Sequence, residues 1–156
     1  MQSASPISVL FRHHLWANIR LLEQCAKLND EQLDASIPGS FGTIRDTLQH
    51  IVRSDQSYFS RISTGQPWRF PENAPALTFP EMLESVQRSG TGLIEWASQV
   101  QADDMVQINW DGIIYDVPKT IVLTQAINHA TEHRAQIMTI MTHLGVQPLD
   151  VDGWTY

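Results

Sequence analysis

Apolar residues recur at spacings of three and four in four stretches of the chain, the pattern that lines them up on one face of an α-helix. The first stretch opens at Ser5-Pro6, a capping residue followed by a proline suited to a first turn. Its stripe runs Ile7, Leu10, His14, Ala17, Leu21, Cys25 and Leu28 before Asn29-Asp30 ends it. The second opens at Thr43, with Asp46 at capping-box spacing, and carries Ile44, Leu48, Ile51, Asp55, Tyr58 and Ile62 up to Gly65 and Pro67. The third has the same start signal in Thr78 and Glu81, with Pro80 in the first turn, and a stripe of Phe79, Met82, Val86, Leu93, Ala97 and Val100. Gly90 and Gly92 fall inside it, each costing about 1 kcal/mol relative to alanine, so a break or a close helix contact is expected there. The fourth runs from Pro118 to Leu144, with Gly145 as a left-handed cap and Pro148 beyond.

Between the third and fourth stretches, residues 106–117 read as two short β-prone runs joined at Asp111-Gly112, a dipeptide suited to a tight hairpin turn. Residues 63–77 contain Pro67, Pro71 and Pro75 with Trp68 and Phe70, and are expected to lie as a cap across one bundle end. The elements together predict an all-α, four-helix bundle with long connections and a small β-hairpin before the last helix. At 156 residues, one domain spanning 1–156 is expected, long enough to bury a core of its own.

Composition narrows the function. The chain is 42% hydrophobic and 17% charged, and its apolar runs fall short of the roughly 18 residues a membrane span needs. No export signal opens it, so cytoplasmic residence is expected. A net charge of −7 with only 10 Lys and Arg argues against nucleic acid, whose phosphates call for clustered cations. The single cysteine, Cys25, sits in an apolar stripe and reads as a buried hydrophobe without a catalytic role.

The chemistry lies in the six histidines. His129 and His133 are four apart on the best-marked helix and share its stripe with Val122, Ala126, Ile137 and Ile140. Both rings therefore project from one face, toward the interior, one turn apart. A buried imidazole left without a partner costs about 1–3 kcal/mol, and a shared metal would supply one. A backbone carbonyl or neighbouring side chain would serve equally, and the spacing names no third ligand. His50, at the edge of the second stripe, competes with His13 and His14 of the first helix. His143, at the end of the last helix, suits a favourable interaction with the helix dipole.

Longer strings extend the reading. The chain carries His14-Leu15-Trp16-Ala17-Asn18 with Leu21-Leu22, then Ser40-Phe41-Gly42-Thr43-Ile44-Arg45-Asp46-Thr47-Leu48-Gln49-His50-Ile51. The last helix adds Asn128-His129-Ala130-Thr131-Glu132-His133-Arg134-Ala135-Gln136-Ile137, followed by Leu144-Gly145 and a tail from Pro148 to Asp152. In this order and spacing they resemble the DinB family of bundle proteins. The resemblance implies a three-histidine metal site at His50, His129 and His133, with zinc or nickel as the ion, and a homodimer. It also implies kinship with thiol-dependent transferases and isomerases. The chain departs from the family pattern in having His13 where a tyrosine is frequent and Glu132 where a histidine often precedes the last ligand. Neither removes a ligand.

Three imidazoles with an open fourth position make a catalytic rather than a closed structural arrangement. The expected activity is that of a metal-dependent hydrolase, or of a transferase that delivers a low-molecular-weight thiol to a small electrophile. A non-catalytic metal-binding or stress-related protein, or a bundle without metal, are the alternatives. Asn18, Asp55 and Gln136 are the candidates for partners of the free ring nitrogens. Asp55 is conspicuous as a carboxylate in a core stripe, where it would need a partner such as Arg134. Trp68, Phe70 and Trp110 are candidates for the mouth of a substrate pocket.

Overall fold

The computed structural model describes residues 5–71 and 73–156. Helix α1 spans Pro6–Cys25, a single-turn helix α2 spans Asp30–Leu33, and α3 spans Ile44–Thr64. Helix α4 spans Phe79–Ala97, strands β1 (Met105–Trp110) and β2 (Ile113–Pro118) form a hairpin, and α5 spans Lys119–His143. The four long helices close a ring in which α1 and α3 each pack on both α4 and α5. The fold is thus the expected bundle, with the expected hairpin before its last helix. No helix among the described residues is long and apolar enough to cross a membrane.

Local signals explain most of the boundaries. Ser5, Thr43 and Thr78 each accept a hydrogen bond from the third backbone N–H of their helices. Asp46 and Glu81 return the bond to complete two capping boxes. In the hairpin, Asp111 and Gly112 both take positive φ, 51° and 86°, the conformation a tight two-residue turn demands. Gly65 and Gly145 end their helices at φ 75° and 73°.

Helix α1 stops three residues short of expectation, at Cys25. Asn29 does not end it but opens α2, through a capping box with Gln32. Leu10 proves to be exposed while Phe11 is buried, and Val100 lies past the end of α4. The connection 63–77, of which Glu72 lies outside the described residues, does not cap a bundle end. It runs back along the side of α3: Phe70 lies under the Arg53 guanidinium, Arg53 bonds the Pro75 carbonyl, and Gln49 exchanges two bonds with the backbone of Leu77. A proline-rich strand has few backbone partners of its own, and α3 supplies them from its polar flank.

Gly90 and Gly92 do not break α4; they let its neighbours in. A Cβ at position 92 would overlap the Phe59 ring, and one at position 90 the Leu15 side chain. Gly92→Ala is therefore expected to destabilise the protein by about 1–2 kcal/mol, the cost of overpacking exceeding the gain in helix propensity. Urea unfolding measures this, and a raised midpoint would mean that the Phe59 ring moves aside freely.

The core divides into two apolar clusters, one around Leu48, Val52 and Val86, the other around Phe11, Ile62 and Leu93. Between them on α1 lie His14 and Asn18, on α3 Asp55 and Gln56, and on α4 Ser89, all buried. Arg134 reaches this polar layer from α5, donating to Asn18 Oδ1 at 2.7 Å.

Candidate metal centre

Where α3 meets α5, three imidazoles come together. His50 Nε2 and His129 Nε2 are 2.8 Å apart, and each of His50, His129 and His133 offers a ring nitrogen within 4.8 Å of the other two. Metal–nitrogen bonds of about 2.0–2.1 Å at tetrahedral angles set ligand nitrogens roughly 3.4 Å apart, within the span seen. His50 is half-buried on the flank of α3 that faces α5, which is why its place at the edge of the stripe suits it to bridge the seam.

The orientation of His133 follows from its neighbours. The Phe41 backbone N–H donates to Gln136 Oε1 at 3.2 Å, which fixes the direction of that amide. His133 Nδ1 lies 2.9 Å from the same oxygen and must carry the proton that meets it. Its Nε2 is then left with a free lone pair, the form a metal ligand needs. The Phe41 ring stacks on His50, centroids 4.1 Å apart and planes 16° off parallel, and meets His133 edge-on at 5.1 Å. Tyr58 closes the opposite side with its ring against His129 at 5.7 Å. Neither aromatic was singled out as a site residue from the sequence, although Phe41 stands beside the capping box that opens α3.

Electrostatics disfavour a positive charge on two of the three rings. Burial, then repulsion from His133 and His50, drives the His129 imidazolium pKa down to about 4, with Asp55 opposing. Burial and His133 lower that of His50 as well. Neutral imidazoles from two helices are a donor set that fits zinc or nickel without prior loss of protons.

The DinB family model matches residues 1–156. The chain belongs to the DinB family. A crystal structure of a DinB-like protein from Bacillus subtilis shares the fold, with a TM-score of 0.66 and 15% identity over 94% of this chain and 96% of that one. At that identity the likeness speaks to fold alone. No curated protein matches the chain.

Of the three ring-partner candidates in this DinB bundle, Gln136 alone bonds a histidine of the triad among the described residues. Asn18 and Asp55 are corrected to a different role. Asp55 Oδ2 accepts from His14 Nε2 at 2.9 Å and from Asn18 Nδ2 at 2.8 Å, and Asn18 passes the link to Arg134. Asp55 thus meets Arg134 through Asn18. The remaining histidines also find partners: His13 Nε2 lies 2.8 Å from the Val151 carbonyl, and His143 Nδ1 lies 3.0 Å from that of Thr139. Glu132 is exposed. Trp110 lines a cavity beside the site, whereas Trp68 and Phe70 pack together on the connection beside α3.

The depressed histidine has a measurable consequence for the metal-free protein. The unfolded chain takes up a proton at this imidazole below about pH 6.5, while the folded chain resists until about pH 4. Stability from this source is present above pH 6.5 and is lost as the pH falls toward 4. Allowing for the ring's partial exposure, the loss should be about 1–2 kcal/mol. Urea unfolding of chelator-treated protein at pH 7.5 and 4.5 tests it. The drop should shrink in His129→Ala, and identical pH profiles for the two proteins would contradict the assignment.

Proposed function

We propose that this DinB protein holds a divalent zinc or nickel ion on His50, His129 and His133 and uses it on a small electrophile, as a thiol-dependent transferase or as a hydrolase. The observation that carries the reading is the convergence of three imidazoles, each offering a ring nitrogen within 4.8 Å of the other two, one with its tautomer set by Gln136. Bound there, such an ion would act as a Lewis acid and lower the pKa of a water or thiol.

The chain's own residues shape what can reach it. Three protein ligands leave room for a fourth, Phe41 shields the His50 side, and Tyr58 borders a neighbouring cavity. A nucleophilic thiol must come from solution. Cys25 is fully buried, and burial pushes its thiol up to about 12, so it holds no thiolate at neutral pH. The same reading takes the protein as a homodimer acting on a small molecule, on the strength of the family resemblance.

The 2.8 Å contact between His50 and His129 favours a second reading, a bundle whose histidines bond each other and hold no ion. Elemental analysis of protein purified without a histidine tag, followed by zinc and nickel titration, separates the two. One tightly held ion per chain is the expected result, and a chain that takes up neither metal would remove the proposal.

A further inference from the structure

The seam between α3 and α5 continues beyond the triad. One turn on from His50 stands Ser54, and one turn back from His129 stands Gln125; both line a cavity of about 500 Å³, inside the range of small-molecule sites. Trp110 of the hairpin and Ile121 of α5 line its apolar part. Tyr58 faces both spaces: it lines the cavity, and its ring meets the edge of His129. The cavity and the triad are therefore adjacent stations of one groove.

Its charge is opposite to that of the molecule. The chain carries 17 Asp and Glu against 10 Lys and Arg, yet the cavity lining includes no carboxylate and one cation, Arg61. Arg20 and Arg45 have carboxylate partners and Arg134 has Asn18, whereas the Arg61 guanidinium makes no ion pair or hydrogen bond among the described residues. A smaller hollow of about 210 Å³ is also lined by Arg61, with Arg69 as a second cation and again no carboxylate.

We propose that this cavity is the substrate pocket of the metal centre and that it selects a small carboxylate with an apolar or aromatic body. The carboxylate sits on Arg61, the apolar body lies against Trp110 and Ile121, and the reacting end points past Tyr58 to the triad. The inference rests on the metal reading above and adds the substrate class to it. A guanidinium offers two parallel N–H donors to a carboxylate and stays charged in any protein setting. Burial lowers the Arg61 pKa, so its charged form carries a desolvation cost that a bound anion offsets.

The test uses 3-phenylpropionate and its neutral amide as probes, titrated into the full chain by calorimetry both before and after chelator treatment. Chelation removes direct capture of the carboxylate by a metal. The expected result is that the carboxylate binds at least tenfold more tightly than the amide in both forms. Arg61→Gln should remove that preference, and Arg61→Lys, which keeps the charge without the paired donors, should retain part of it. Equal binding of the two probes, an unchanged preference in Arg61→Gln, or a preference that disappears on chelation would overturn the proposal. Failure of the metal reading looks different: no ion is found by elemental analysis, while the carboxylate preference persists.

Discussion

His133→Ala is expected to abolish stable metal uptake, lowering affinity for zinc or nickel by a hundredfold or more while leaving the helical content unchanged. Loss of a hydrogen-bond partner behind a metal-bound imidazole typically costs about 10–100-fold in affinity, and loss of the imidazole itself removes a bond to the ion. The effect should be large here because the three rings are the whole of the cluster able to hold an ion among the described residues. The fold should tolerate the change, since among the described residues the His133 side chain bonds only Gln136, and it lies at the seam rather than within either apolar cluster. His143→Ala is the control: that imidazole is exposed and bonds a carbonyl of its own helix, so metal content should not change. Elemental analysis and competition with a chromogenic chelator give the readout. A His133→Ala protein that retains one ion per chain would show that the binding site lies elsewhere.

The helices could be read from the chain because their signals are local. Thr43 with Asp46 and Thr78 with Glu81 state where α3 and α4 begin, and the structure contains both capping boxes. The short helix α2 escaped because four residues cannot display a 3.6-residue period. The candidate site was legible only in part. Periodicity says which way the core lies: it placed His14 in the α1 stripe, and that ring is indeed in the core with its Nε2 on Asp55, but it did not choose among His13, His14 and His50 as a third ligand. It does not say which two helices are neighbours. His50 matters because α3 adjoins α5, so a residue at the edge of the α3 stripe faces the last helix. That fact belongs to the packing, and the resemblance to a family supplied what spacing left open. Gln136 was legible as a partner by its distance of three from His133 on one helix, whereas Asp55 and Asn18 depended on contacts with α1 and α5 that no local pattern encodes.

The polar layer gives the second large effect: Asp55→Ala is expected to destabilise the protein by about 3–5 kcal/mol, more than any substitution in the triad. Asp55 is 1% exposed, and its Oδ2 is the common acceptor for His14 and Asn18. Asn18 in turn takes the Arg134 guanidinium, whose pKa burial lowers to about 10 while the Asp55 charge opposes the fall. At neutral pH Arg134 is still a cation, and Asp55 is the carboxylate that compensates it. Truncation to alanine therefore strands a buried positive charge and leaves the His14 Nε2–H without its acceptor, two costs that no repacking of methyl groups recovers. Asp55→Asn keeps the shape and one oxygen but drops the charge, so its smaller loss, measured beside that of the alanine variant in urea, divides hydrogen bonding from charge compensation. The layer joins α1, α3 and α5 at a single level of the bundle, between the two apolar clusters and beside the triad on α3 and α5. Through Asn18 of α1 the layer ties Asp55 of α3 to Arg134 of α5, so loss of Asp55 is also expected to weaken metal binding by letting His129 and His133 shift from their place opposite His50. An Asp55→Ala protein as stable as the parent would refute the charge argument. A destabilised one that still binds metal with unchanged affinity would show that the register is held by the apolar clusters alone.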